Sequence, residues 1–599
     1  METLTITATA ATLKVGVNFI VIKGQRFLIY KGQDGSLSAC KNVCSHNGGV
    51  FVRDIEDIGS PSVVKCSFHG WKLDCATMTY TNPPDCLEQE QMIIEPLSDG
   101  SLILTSPIKT KPWALGTVFP RVELTADEVT ITYLSHACVE IKLGCKTILT
   151  DPWLTGPAFG RGWWLLHEPP SDAWSKLAKA DAIYISHSHP DHCNIPTLSR
   201  LYDINPLVNI YVAELSIPIL KADFYKIGFE NIHVVKSCEW VQLSLNARFM
   251  ILPDSLYPHL DTCLLAEYKG YTILNLVDCC FPNHGILPDS IDVLLTDFAS
   301  GASGFPSCFV DQFGFGATLE KAKEKASVFL KKVIKHAALT KAKVWIPFAG
   351  YFTEAHPSDY QTKALNWKNS ASNAAEMVMD RIKGIQTWLP FPGGSFDVCK
   401  MKGDAPSMPA EYYLKKDWDF ETYINEFQYS LNFSALQNIS GVAFYFKWLG
   451  FYGYNLQLHV VEMDDDFVEI IREFYVDFSG REVLVGVERN FSLPYLRVKA
   501  RATVIRDIMI KGLSWDNIYI GFSGRFFAEP DVYHFKFWDY LNNKTPPFPP
   551  PWDDCKSTLS NPATNLTSHF YRDIFSALFF ALVAYGFWRY SCAFRGSFL

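Results

Sequence analysis

Two short stretches constrain this chain more than any others: CSHNGG at Cys44–Gly49 and CSFHGW at Cys66–Trp71. Each half supplies one cysteine and one histidine, Cys44 with His46 and Cys66 with His69, and nineteen residues separate the halves. Two turns this far apart must be carried to one centre by the segment around them. A disulfide loop, a structural zinc site and an electron-carrying cluster all use such residues. The 599-residue chain has 16 cysteines, not the dense, even array of a small secreted scaffold. Its N-terminus, METLTITATAATLKVGV, lacks the basic-then-apolar layout of a signal peptide. A reducing, cytoplasmic setting with thiols free for metal is therefore expected, and the sequons at Asn438 and Asn565 carry no meaning. A net charge of -9 with no long Lys/Arg run argues against nucleic acid as a partner.

Zinc accepts a Cys₂His₂ set, but zinc fingers pair cysteine with cysteine and histidine with histidine. Here each loop gives one of each, which suits a cluster with two inequivalent irons. Two thiolates on one iron and two imidazoles on the other is the Rieske [2Fe–2S] arrangement. Gly48, Gly49 and Gly70 let backbone amides approach the sulfurs and tune the potential. Cys40, Cys75 and Cys86 do not fit the spacing and read as buried thiols, and Trp71 as packing over the cluster. Such a cluster moves single electrons and makes no substrate bond by itself. The chain must hold a second site or be only a carrier.

The expected class is multidomain α+β. Residues 1–112 alternate apolar and polar positions around turns such as Asp34-Gly35, as a small β domain does. Residues 120–395 alternate strands with helical stretches, among them TLEKAKEKASVFLKKVIKHAALTKA, as a layered αββα domain does. Residues 410–543 form a C-terminal α+β domain. Residues 544–599 start with the proline-rich TPPFPPPW and run to an apolar tail.

SHSHPDHCN places His187, His189, Asp191 and His192 in an H-x-H-x-D-H pattern at the end of the apolar strand AIYIS. This resembles the metallo-β-lactamase fold, over roughly residues 125–360, with Asp151 in the upstream TDP turn. The resemblance implies two metals. His187 and His189 would hold one, Asp191 and His192 the other, and Asp278, closing YTILNLVD, would bridge them. His259 is the expected later histidine and His356, in PFAGYFTEAHP, the last. His284 competes with His356, and Asp254 or Asp297 stand as alternative carboxylates. His136 is expected behind the ligands, and His167, His233 and His336 as structural or surface residues. Nitrogen and oxygen ligands suit zinc and iron alike. A redox-inert zinc site has no use for a one-electron donor, whereas an iron site has, so iron, mono- or dinuclear, is favoured.

The domain order, with CSHNGGVF, CSFHGWKLD, SHSHPDHCN and PFAGYFTEAHPSDY, resembles the CMP-N-acetylneuraminate hydroxylase family from about residue 10 to 560. The resemblance implies a monooxygenase that uses O₂ to turn the N-acetyl methyl of CMP-N-acetylneuraminate into an N-glycolyl group. It also implies electrons from NADH through cytochrome b5 and its reductase. A dizinc hydrolase with a fused Rieske module and a non-catalytic electron-transfer protein stay as alternatives. The anionic substrate calls for Arg or Lys, with Arg161, Lys363 and Lys368 near the motif segments. The uncharged apolar run Ile574–Trp588, flanked by Arg572 and Arg589, falls short of the ~20 residues of a spanning helix. Weak membrane association at the endoplasmic reticulum and a helix docked on the body are both open readings of it.

Overall fold

The computed structural model describes residues 3–9, 12–22, 25–45, 50–53, 61–67, 71–82, 84–97, 101–105, 116, 118–215, 219–255, 261–288, 290–415, 434–543 and 549–552. His46, His69, His259 and the apolar stretch 574–588 lie outside them.

The N-terminal strands form two antiparallel sheets. The larger runs Thr3–Thr9, Ser101–Thr105, Gln91–Pro96, Leu37–Lys41, Gln25–Lys31, Gly16–Ile22. The smaller runs Phe51–Val52, Val63–Cys66, Lys72–Asp74, Thr79–Asn82, Pro84–Glu88. Cys44 follows the strand Leu37–Lys41 of the larger sheet, and Cys66 ends the strand Val63–Cys66 of the smaller, so each sheet positions one cysteine.

The central region is a four-layer sandwich. An eight-stranded sheet holds Val129–Ser135, Cys138–Leu143, Lys146–Thr150, Ala182–Tyr184, Ile210–Ala213 and Ile232–Val235, and a seven-stranded sheet holds Ala247–Pro253, Thr262–Tyr268, Tyr271–Asn275, Val293–Thr296 and Val344–Pro347. Ile131, Tyr133 and Ile141 of the first sheet meet Phe249, Leu264, Ile273 and Leu294 of the second in one core. Helices cover both outer faces. Ile195–Ile204 and Ile219–Ile227 bury Leu198, Leu201 and Phe224 against Leu134, Leu149 and Ile183. On the other side Phe315–Leu339 presents Ala322, Ala326, Leu330, Val333 and Ala337, spaced three and four apart along a single face. Because helices lie outside and a sheet inside, strands such as Val129–Ser135 are buried along their whole length rather than alternating.

The C-terminal region is a five-stranded sheet, Leu484–Val487, Ile470–Asp477, Gln457–Met463, Tyr495–Arg501, Gly524–Glu529, with helices against one face. LRVKARATVIRDIMIKG divides at Arg501. Before it Leu496, Val498 and Ala500 alternate inward, and after it the helix Ala502–Lys511 buries Val504, Ile505 and Ile508. This core is not separate from the central region. Trp153, Phe159, Trp163, Leu165 and Phe352 of the sandwich are members of it, beside Phe446, Trp515 and Phe522. Trp163 stacks on Phe352 at 3.6 Å and donates its indole N–H to the Ile520 carbonyl at 2.8 Å. The backbones approach so closely that a Cβ on Gly162 would lie 1.9 Å from the Gly521 carbonyl oxygen, so only glycine fits. Arg501 adds a bidentate, fully buried pair with Asp359 at 2.8 and 3.1 Å.

Candidate active site

The histidine loop follows the parallel strand Ala182–Tyr184 and leads into the helix Ile195–Ile204, whose first turn is capped by Asn194 accepting from the Thr197 N–H at 3.0 Å. A strand end and a capped helix thus fix both ends of the loop. His187 Nε2 and His189 Nδ1 face one another at 2.8 Å. His192 Nε2 lies 3.2 Å from Asp191 Oδ2 and 3.5 Å from Asp278 Oδ2. Among the described residues, two sets have donor atoms mutually within 4.8 Å: His187, His192 and Asp278, and His136, Asp191 and His192. Four residues expected from the sequence, His187, Asp191, His192 and Asp278, fall in these sets, His189 lies against His187, and His136, expected behind the ligands, stands beside Asp191.

The far sides of the His187, His189 and His192 rings are occupied. Ser186 Oγ donates to Asp151 Oδ2 at 2.7 Å and lies 2.9 Å from His187 Nδ1. Asp151 Oδ2 also faces His192 Nδ1 at 3.0 Å. His136 Nε2 faces Asp191 Oδ2 at 3.1 Å. His189 Nε2 meets Asp516 Oδ2 at 3.4 Å, and Asp516 belongs to the C-terminal region. Asp516 is held in turn by Asn542 Nδ2 at 2.9 Å and by its own N–H on Ser514 Oγ at 3.1 Å. Carboxylates behind imidazoles fix the tautomer and turn the other nitrogen to the centre. The backbone is strained at the same points: His136, Asp151 and the β-branched Val277 before Asp278 have φ of 36°, 37° and 52°.

The charges fit a cation. Burial alone would raise the Asp191 carboxyl, but His192 and His136 outweigh it and hold it well below its usual range. Burial, with His192 and His189 adding to it, pushes His187 well down. Burial opposes protonation of His189, yet Asp516 lifts it to about 9. Asp261, buried beside this loop, is pushed up to about 8 by burial; His189 draws it down, while Asp254 and Asp278 push it up. Burial and Asp278 push Asp297 up to about 7. Asp191 Oδ1 and Asp261 Oδ1 are buried and make no hydrogen bond. The pocket thus gathers more carboxylates than it can keep ionised by itself, which is what a metal dication corrects. Nothing marked Asp261 or Asp516 in the sequence; only proximity in space identifies them.

Other expectations resolve differently. His356 is buried but belongs to neither donor set. Its Nδ1 accepts from the Ser358 N–H at 3.2 Å, and burial with the charges of Arg501, Arg161 and Arg525 pushes it down to about 2. Three guanidiniums around a ring repel a metal cation, so the expected last ligand is displaced from that role. His284 is exposed, with its N–H on Ser255 Oγ at 2.6 Å. Asp254 braces the loop after Asp278, accepting from the Cys280 and Phe281 N–H groups at 2.8 and 3.0 Å. His167 packs against Tyr133 and Tyr351, His233 stacks on Tyr211, and His336 is buried in the long helix. Arg161 sits between Thr503 and Asp465 of the C-terminal region, whereas Lys368 pairs with Glu354 at 2.8 Å and Lys363 donates to Thr353 at 3.3 Å.

In the N-terminal region Cys44 and Cys66 are both buried. The Tyr80 hydroxyl is 3.1 Å from Cys44 Sγ and accepts from the Ser45 N–H at 3.0 Å. Burial and then Cys44 raise its pKa well above the usual range, with Cys66 adding to the rise. Cys44 and Cys66 share one buried core with Tyr80. Gln89 closes the turn, accepting from Ser45 N and Oγ at 3.1 and 3.0 Å and donating to the Val43 carbonyl at 2.8 Å. Trp71 packs edge-on to Tyr80 at 5.6 Å, as expected of a packing residue. Cys40 stays a buried thiol, pushed up to about 12 by burial.

The Rieske [2Fe-2S] domain family matches residues 6–90, and the beta-lactamase superfamily domain matches residues 130–252. Cytidine monophosphate-N-acetylneuraminic acid hydroxylase of Mus musculus is 41% identical over 562 residues, covering 91% of this chain and 96% of that protein. The protein of the same name from Danio rerio is 39% identical over 577 residues, covering 92% and 96%. That of Asterias rubens is 40% identical over 566 residues, covering 90% and 86%. Among solved structures, CmlA, a diiron β-hydroxylase from Streptomyces venezuelae, aligns with 46% of this chain and 55% of its own at 15% identity, TM-score 0.31.

Proposed function

The chain belongs to the cytidine monophosphate-N-acetylneuraminic acid hydroxylase family, and from that premise we propose that it hydroxylates the N-acetyl methyl of CMP-N-acetylneuraminate to the N-glycolyl form. One observation carries the reading: a Rieske domain and a buried His/Asp metal cluster stand in the same chain. A [2Fe–2S] cluster supplies single electrons, and a redox-active metal pair, iron on this reading, supplies the reduction of O₂.

The chain's own residues do the rest. Cys44 and Cys66, with His46 and His69, are assigned to the [2Fe–2S] cluster. His187, His189, Asp191, His192 and Asp278 are assigned to the second metal site. Asp261, buried near His189, is a further carboxylate for this site, while His259, the sequence candidate for the later histidine, lies outside the described residues. Asp151, Ser186, His136 and Asp516 hold the ligand rings and carboxylates in orientation. Burial holds the Asp261 carboxyl up at about 8, and a dication held by the neighbouring residues would favour its ionised form.

The electron donor of this reading is cytochrome b5, re-reduced by its NADH-dependent reductase, and the setting is the cytoplasm. Among the described residues no helix is long and apolar enough to cross a membrane. The stretch 574–588 would supply any attachment to the endoplasmic reticulum.

Protein purified without oxygen tests the reading. Metal analysis should find iron beyond the two of the cluster, with a Rieske signal by EPR. NADH, cytochrome b5 and its reductase should drive a product heavier than CMP-N-acetylneuraminate by one oxygen. Zinc alone in the second site, with hydrolysis and no oxygen insertion, would sink it.

A further inference from the structure

We propose that electrons pass from the cysteine-held cluster to the His/Asp cluster inside a single chain, across a junction made by Asp278–Phe281 and the helix Asp516–Tyr519. The proposal rests on the hydroxylase reading and adds the route.

The core around Cys44 and Cys66 is not closed by its own domain. Phe305 of the central region is a buried member of it, together with Trp71 and Tyr80. Cys280, Phe281, Phe309 and Phe313 of the central region, and Tyr519 and Tyr533 of the C-terminal region, pack against it. Lys65, next to Cys66, donates to the Asp531 carbonyl at 2.5 Å. The N-terminal unit is thus seated on both other regions, with its cysteine end inward.

Two short links lead from that seat to the metal-site residues. Cys280 is two residues from Asp278, a step of at most about 7 Å. The Asp254 carboxylate pins this segment through the N–H groups of Cys280 and Phe281. Tyr519 lies three residues from Asp516 on one helix, a rise of about 4.5 Å. Asp516 in turn touches His189 at 3.4 Å. One segment ends on a carboxylate of the second site and the other on the carboxylate behind one of its histidines. Both begin on side chains that cover the cysteine core. A partner chain is not required to bring the centres together.

In each passage the reduced cluster loses one electron and becomes all-ferric, and a metal ion at the His/Asp site gains it. Two passages, supplied by an external one-electron carrier protein, deliver two electrons. With two protons and O₂ these place one oxygen in the substrate C–H bond and release the other as water.

The test uses two full-length variants with different tags, co-expressed. Cys44→Ser lacks the [2Fe–2S] cluster, with Cys66→Ser as the substitute if it does not fold. Asp278→Ala lacks a working second site. EPR and metal analysis verify that each keeps its other centre. The mixed preparation should form no more product than either variant alone. Separately, wild-type protein reduced with dithionite is mixed with O₂ and CMP-N-acetylneuraminate and freeze-quenched. The reduced-cluster EPR signal should decay with a rate constant that does not change on dilution. Product in the mixed preparation, or a rate constant that falls in proportion to dilution, would overturn the single-chain route. Failure of the hydroxylase reading looks different: the signal decays, but wild-type protein makes no hydroxylated product.

Discussion

Around Cys44 and Cys66 the polar partners are local: Tyr80, Gln89, Trp71 and Val50 all lie within 46 positions of the groups they bond. Around His187–His192 two partners are nearly as local, Asp151 41 positions from His192 and His136 55 from Asp191, but Asp516 comes from 327 positions beyond His189. The hydrogen bonds at the two cysteine turns come from one small unit, although the other regions cover its core. The second centre keeps all its donor residues in the sandwich but takes the carboxylate behind His189 from the C-terminal region. Removing parts should therefore act locally at the first centre and globally at the second.

The largest expected effect separates the two centres. Cys44→Ala or His69→Ala should abolish NADH-driven turnover while second-site metal stays, read by EPR and metal content. His187→Ala or Asp278→Ala should leave a reducible cluster and no product. Loss of a direct ligand should exceed the roughly 10–100-fold cost of losing an outer partner. Full hydroxylation by either variant would break the division of labour.

Next is that outer cost itself. Asp516→Asn and Asp151→Asn should each lower second-site metal affinity about 10–100-fold, measured by chelator competition, without altering the cluster's EPR spectrum. Equal losses would show that the distant carboxylate matters as much as the near one. No loss at Asp516 would make the C-terminal region a brace only.

A pH dependence should mark the sandwich. Burial pushes His336 down to about 3, with Lys332 and Lys335 adding to it, against an unfolded value of about 6.5. A histidine depressed on folding contributes stability that is full above 6.5 and is lost as pH falls toward 3. The loss is about 3 kcal/mol by pH 4. Thermal unfolding of wild type against His336→Leu from pH 8 to 4 should show the slope in the first and a shallower one in the second.

The smallest effect belongs to the local centre. The single proton of the Tyr80 hydroxyl is directed at Gln89 Oε1 at 2.8 Å, and a Cys44 thiolate at 3.1 Å, which can only accept, competes for it. Tyr80→Phe removes that donor and should lower the cluster's potential in an EPR-monitored redox titration, leaving metal content unchanged. An unchanged potential would mean that the hydroxyl serves Gln89 and Ser45 instead.

What the sequence disclosed follows the same division. His187, His189, Asp191 and His192 were legible because one loop holds them, and Asp278 because it closes an apolar strand. Asp261 and Asp516 were not, since an aspartate joins a site by proximity, and no periodicity marks positions hundreds of residues apart. His356 misled because its surroundings in sequence resemble those of a ligand, while Arg501 and Arg525 reach it from strands that the local reading did not connect to it. The shared core was equally hidden. Trp163 and Phe352 look like sandwich residues until the C-terminal sheet is seen to lie against them.

The contact between His189 and Asp516 also sets a timetable. At about 5–20 residues per second, a ribosome makes Asp516 roughly a quarter of a minute to a minute after His189. Through that interval the histidine loop is outside the ribosome without the carboxylate that orients one of its rings. The order of synthesis thus separates the loop from the partner of one of its rings, and that ring gains its fixed orientation only when Asp516 arrives.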